Sequence, residues 1–187
     1  MRIVAITGTI GCGKSVVSQV LRVMGYPVYD CDSEAKRLMT TDNALVTRVK
    51  SLLGDDAYLP DGSLNRAFVA SCVFSDNERV AAINALVHPA VLRDIKRWAA
   101  ATGSPLCFVE TALLRESNMI SILDDVWTVT APIELCINRV ARRSNLSPEQ
   151  TRARIASQSN DLIATHKVIV NDNITPIIPQ LTALLAQ

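Results

Sequence analysis

The chain has 187 residues, 49% apolar and 20% charged, the balance of an ordinary globular domain with at most a modest insertion. That composition excludes collagen, coiled coil and disorder. With 19 Lys and Arg against 18 Asp and Glu, the net charge of +1 is too even for a general polyanion binder. At 4%, the aromatic residues are too few for stacking platforms on single-stranded nucleic acid.

Arg outnumbers Lys by 14 to 5, which favours a small anionic ligand held by a few placed forks. No apolar run approaches the roughly 18 residues of a membrane span. The N-terminus turns glycine-rich too early for a secretory signal. Cys12, Cys31, Cys72, Cys107 and Cys136 are odd in number and lack any C-x-x-C pair, so they read as small, partly buried residues in a reducing compartment. The expectation is a soluble cytoplasmic protein with small-molecule partners, no nucleic acid and no membrane.

Ile3-Val4-Ala5-Ile6 is a β-branched run ending at Gly8, the pattern of a strand buried on both faces of a parallel sheet. Val16, Val17, Val20, Leu21 and Met24 recur at helical spacing and stop at Gly25. Pro27-Val28-Tyr29 gives a second strand. Residues 32–101 then carry helical patterns almost throughout, too many for one crossover, so they read as an inserted helical subdomain. Strands return at 105–109 and 126–130, and a helix follows Pro132 over 133–142. Ser147-Pro148-Glu149 opens a further helix, with a serine cap, proline at the first helical position and acid in the first turn. A last strand at 168–170 and a helix over 177–185 close the chain. Apolar strands alternating with helices predict an α/β fold, a parallel sheet with helices on both faces.

Gly8-Thr9-Ile10-Gly11-Cys12-Gly13-Lys14-Ser15 matches G-x-x-x-x-G-K-[ST] at every fixed position, between the first strand and the first helix. Glycines let the backbone fold around phosphates so that successive N–H groups converge on an anion. The positive end of the helix adds to that field. Gly8, Gly11, Cys12, Gly13, Lys14, Ser15 and Val16 are therefore expected to hold ATP or GTP. Lys14 reaches the β- and γ-phosphates and the Ser15 hydroxyl ligates Mg²⁺. The helix N-terminus is expected to lower the thiol pKa of Cys12 and leave it chemically vulnerable.

No Asn precedes a Lys and no Asp-x-x-Gly occurs, which removes the guanine-reading switch proteins. Motor and transport ATPases need a longer chain. A small-molecule kinase remains, with a non-catalytic ATP-binding module as the alternative. Arg139, Arg142, Arg143, Arg152 and Arg154 gather on two late helices, as in a lid that neutralises a transferring phosphoryl group and excludes water. Solvated surface arginines are the plainer reading.

Several further motifs sit in the same order along the chain: Asp30-Cys31-Asp32, Leu86-Val87-His88-Pro89, the stretch Glu110 to Ser117, Arg154-Ile155-Ala156-Ser157-Gln158 and Val168-Ile169-Val170-Asn171. Taken with the loop, they make the sequence resemble the dephospho-CoA kinase family nearly end to end. The resemblance implies a P-loop kinase fold. Its core would be about 1–31, 104–135 and 165–187, with a helical acceptor-binding insertion at about 32–103 and an Arg-bearing lid at about 136–164. It also implies phosphorylation of the ribose 3′-hydroxyl of dephospho-CoA by ATP with Mg²⁺, in a monomer or weak homo-oligomer. Another kinase, acting on a nucleotide or nucleoside, is the alternative.

In that reading Lys14, Arg139 and Arg143 act on the phosphoryl group and Asp32 accepts or orients the hydroxyl proton. Asp30, His88 and Glu110 contact substrate. Asp30 or Asp32 could instead cap the next helix, His88 could be a satisfied histidine of the helical subdomain, and Glu110 could form a structural ion pair. Glu110, Ala112 and Arg115 depart from the family's Asp, Pro and Phe. The interval after the lid is a few residues short, with His166 where the family has Asp.

Overall fold

A computed structural model describes residues 1–73, 76–115, 117–144, 146–159, 165 and 167–187. Glu116 and His166 of the expected motifs, and Asn145 and residues 160–164 of the expected lid, lie outside the described residues. The chain divides into two compact units, Met1–Asp30 with Ala99–Gln187, and Cys31–Trp98.

The first unit is built on five parallel strands, β1 (Arg2–Thr7), β2 (Val28–Asp30), β3 (Leu106–Glu110), β4 (Asp125–Thr130) and β5 (Val168–Val170), in the order β2-β3-β1-β4-β5. A strand flanked on both sides and covered on both faces is largely apolar, and five of the six residues of β1 are buried, Thr7 among them. Helices α1 (Lys14–Val23), α6 (Ile133–Arg143), α7 (Pro148–Ser159) and α8 (Ile177–Leu185) complete this unit. Phe108 and Trp127 meet with ring centroids 5.2 Å apart, and Val4, Ile6, Val17, Leu21, Ile169 and Leu181 pack into the same core. Each such side chain contributes about 1.5–3 kcal/mol of burial.

Pro148 opens α7 as expected. Ser147 Oγ accepts from the Gln150 N–H at 3.2 Å, and Gln150 Oε1 accepts from the Ser147 N–H at 2.8 Å. Ile155 of α7 packs against the core, and in α6 Cys136, Ile137 and Val140 are buried. The expected lid span of 136–164 therefore begins inside core packing.

The second unit is helical: α2 (Cys31–Thr41), α3 (Asn43–Leu53), α4 (Arg66–Val73) and most of α5 (Asn77–Thr102). The Asp42 side chain caps α3 by accepting from the Ala44 and Leu45 N–H groups. α5 runs 26 residues straight through Pro89. Buried Asp94 on α5 receives Arg37 of α2 at 2.7 Å as well as Arg97, a charge kept in the interior only because it is paired. Among the described residues, no helix is long and apolar enough to cross a membrane.

Candidate active site

The loop Gly8–Ser15 leaves the carboxyl end of the central strand β1 and runs into α1, where open α/β sheets bind ligands. Three neighbours demand its glycines. A Cβ on Gly8 would overlap the Val129 carbonyl of β4 and lie 2.7 Å from Cys12 Sγ. At Gly11 (φ +83°) it would stand 2.5 Å from the Cys136 carbonyl of α6, and at Gly13 (φ +94°) it would overlap the Asn171 side-chain amide. Gly11 and Gly13 also adopt the left-handed region that other residues enter at a cost of about 1–2 kcal/mol.

Gly13 is the N-cap of α1 and offers no side chain to the helix's first N–H groups. The amides of Lys14 and Ser15 precede the first hydrogen-bonded turn of α1, so they stay open to an anion. Lys14 Nζ donates to the Gly8 carbonyl at 2.7 Å and to that of Thr9 at 3.3 Å, which holds the ammonium against the loop. The Ser15 side chain is exposed in the first turn. Val16 departs from its expected role: its N–H already donates to the Gly13 carbonyl at 3.1 Å and its side chain is exposed.

The thiol of Cys12 is a correction. Only 1% exposed, it lies inside the core, and burial pushes its pKa up; Lys14 and Arg139 pull the other way without prevailing. Desolvation of a thiolate outweighs the helix terminus here. The same burial raises the thiol of Cys136 nearby.

Two carboxylates stand side by side at the sheet's carboxyl edge, because Asp30 of β2 is in register with Glu110 of β3. Burial raises the Glu110 pKa, and the Asp30 charge adds to the rise against the opposing pull of Ser18, Lys14 and Arg22. A carboxylate that is costly to ionise beside a second acid fits a site completed by a cation. Among the described residues no group of three His, Cys, Asp or Glu could hold a metal by itself. Ser15, Asp30 and Glu110 carry hard oxygen donors, the kind that suit Mg²⁺.

Asp30 ends β2 and immediately precedes α2, whereas Asp32 lies in the first turn of α2, exposed, and belongs to the second unit. His88 also belongs to that unit, half-buried on α5. A separate apolar groove of about 380 Å³ lies within that unit, lined by Met39, Val69, Val73, Val80 and Ile83 with Lys36 and Arg66.

Arg139 has different partners from those expected. Its guanidinium does not stand free for a phosphoryl group: Nη1 donates to the Gly11 and Cys12 carbonyls at 3.4 and 3.3 Å. Nη2 donates to the Asn171 carbonyl and Oδ1, and to Asn173 Oδ1 at 2.6 Å. Arg152 pairs with Glu134 at 2.7 Å, while Arg143 and Arg154 are exposed. Sequence reasoning placed Asn171 and Gln158 in motifs but gave neither the role of holding the loop. Asn171 Nδ2 donates to the Cys12 carbonyl at 2.9 Å, and Gln158 Oε1 accepts from the Ile10 N–H at 2.7 Å. The available signal for Asn171 was a polar residue at the end of an apolar strand, on the ligand-binding edge of the sheet.

This site, a glycine-walled anion nest with a lysine at a helix N-terminus on the central strand of a parallel sheet, defines a P-loop phosphotransferase. A family model described as Dephospho-CoA kinase matches residues 2–176. A Dephospho-CoA kinase of Bacteroides fragilis is 36% identical over 187 residues, covering 98% of this chain and 91% of the relative. Another, of Corynebacterium diphtheriae, is 36% identical over 164 residues, covering 86% and 82%. A crystal structure from Thermus thermophilus superposes with a TM-score of 0.79 at 35% identity, covering 99% of this chain and 96% of that one. The fold alone is shared with a deoxyadenosine kinase of M. mycoides, at TM-score 0.52 and 13% identity over 99% and 98% of the two chains. The chain belongs to the dephospho-CoA kinase family.

Proposed function

We infer that the protein transfers the γ-phosphoryl group of ATP to the ribose 3′-hydroxyl of dephospho-CoA, the final step of coenzyme A synthesis. The nest at Gly8–Ser15 carries this reading: it selects a polyphosphate, and the family supplies the acceptor. A nucleotide or nucleoside acceptor, or ATP binding without turnover, is not favoured.

In the reaction the 3′-oxygen bonds to the γ-phosphorus, the bond to the β,γ-bridging oxygen breaks, ADP leaves, and the hydroxyl proton passes to a carboxylate. We assign that carboxylate to Asp32. The loop amides hold the triphosphate, and Lys14 neutralises the charge that develops on the β- and γ-oxygens, since preorganised charge is the main source of rate in phosphoryl transfer. Arg143, exposed at the end of α6, is our candidate for covering the transferring group. Bound Mg²⁺ would neutralise further phosphate charge; Ser15 would ligate it, and Glu110 would hold it through water. Asp30 supports Glu110 from the next strand, and His88 remains an acceptor contact.

We further propose a cytoplasmic monomer or weak homo-oligomer acting on small molecules, without a nucleic-acid or membrane partner. The even charge supports this reading. Phosphorus NMR of a mixture of protein, ATP, dephospho-CoA and Mg²⁺ tests the chemistry. A new phosphomonoester on the ribose 3′-oxygen with matching ADP is expected; ADP formation without that resonance would refute the assignment.

A further inference from the structure

We propose that Asn171 is a positioning residue of the phosphate-binding loop and that Arg139 acts with it. Neither is assigned to the moving phosphoryl group; they fix the direction of the loop's peptide planes. The proposal rests on the loop binding the triphosphate of ATP.

The backbone of Asn171 is fixed first. Its N–H donates to the Thr130 carbonyl at 2.8 Å, which extends the β4–β5 ladder by one residue, and its carbonyl accepts from Arg139 Nη2 at 3.1 Å. The residue is only 7% exposed. Its amide therefore has one workable orientation. Oδ1 faces the guanidinium, which can only donate, and Nδ2 faces the Cys12 carbonyl, which can only accept.

This orientation acts on the loop through the planarity of the peptide bond. Among the described residues there is no cis peptide, so each carbonyl of the loop points opposite to the N–H of the following residue. The Cys12 carbonyl is drawn to Asn171, which turns the Gly13 N–H away from Asn171. Arg139 draws the Gly11 carbonyl, and the Cys12 N–H closes the turn onto the Thr9 carbonyl at 3.3 Å. Gly13 cannot carry a Cβ because the Asn171 amide fills that space, so loop and clamp are fitted to one another.

Arg139 adds charge to this geometry. Among the described residues its hydrogen-bond partners are neutral oxygens, from Gly11, Cys12, Asn171 and Asn173. With no carboxylate among them, the positive field is left to the loop. Asn173, in the left-handed region at φ 69°, brings its Oδ1 to the same guanidinium and completes the brace.

The discriminating variant is Asn171→Asp. It keeps an acceptor toward Arg139 and replaces the donor facing the Cys12 carbonyl with a second acceptor. The amides of the loop grip ground state and transition state alike, so the loss belongs in KM and not in kcat. The expected result is a rise of about tenfold or more in the Kd for inorganic tripolyphosphate and in the KM for ATP. Both kcat and the KM for dephospho-CoA should stay within about threefold of wild type. Asn171→Ala, which removes both contacts, should raise the same two constants and serves if the Asp variant does not fold. Unchanged tripolyphosphate affinity in the folded variants, or a lower Tm as the only effect, would overturn the proposal. Wild-type protein that neither binds tripolyphosphate nor turns over dephospho-CoA would overturn the functional reading and this proposal with it.

Discussion

Glu110 sets function against stability. Burial and the neighbouring Asp30 raise its pKa above the unfolded value, so the folded state prefers the protonated acid. Stability from this group therefore rises as pH falls toward the raised pKa, and at pH 7 its ionised form costs stability. Glu110→Gln is expected to melt about 2 °C higher than wild type at pH 7, a modest shift because the site is partly screened. The advantage should shrink at pH 4.5; a variant that melts lower than wild type at pH 7 would mean the carboxylate is a stabilising ion pair. Lys14→Ala should fold normally and lose at least about a hundredfold in kcat. Activity within a fewfold of wild type would contradict the loop's role. Cys12, buried and with its thiol pKa raised, should resist iodoacetamide, while the half-buried Cys72 reacts first, as read by mass spectrometry of the labelled peptides.

Among the elements, the contact of the loop with α6 can be isolated by a pair of glycines. Gly11 and Gly25 both have positive φ, but only Gly11 has backbone within reach of an added Cβ. Gly25→Ala should cost only the backbone term of about 1 kcal/mol, and Gly11→Ala at least about 2 kcal/mol more in denaturant unfolding. Equal losses would mean that α6 yields. The β2–α2 junction is tested by Asp30→Asn and Asp32→Asn together. Asp32→Asn should lower kcat about a hundredfold with ATP affinity kept, and Asp30→Asn should cost less. The reverse order would exchange their roles. The strands, α1 and the serine cap of α7 were legible because each is written in local periodicity and cap chemistry. The partners of Arg139 and the complete burial of Cys12 were not, because they depend on β5 lying beside β4 and on α6 crossing the loop. Arginine clustering alone cannot tell a guanidinium facing a ligand from one bonded to backbone carbonyls.

For the molecule as a whole, the two units divide the labour that the proposed function requires. The sheet unit carries the nest, Lys14 and the paired acids; the helical unit carries Asp32, His88 and an apolar groove with Lys36 and Arg66. Composition foresaw little of this beyond a globular chain, and the acceptor was legible only through the ordered motifs, since helical residues that grip adenine or a pantetheine arm have no local signature. The central claim is that this chain phosphorylates dephospho-CoA. The direct test is ADP release with ATP and Mg²⁺ across dephospho-CoA, AMP, CMP, shikimate and adenosine, with Lys14→Ala as the blank. Turnover with dephospho-CoA is expected well above that with every other acceptor. Turnover with AMP or adenosine but not with dephospho-CoA, or ATP binding without ADP release from any of them, would contradict it.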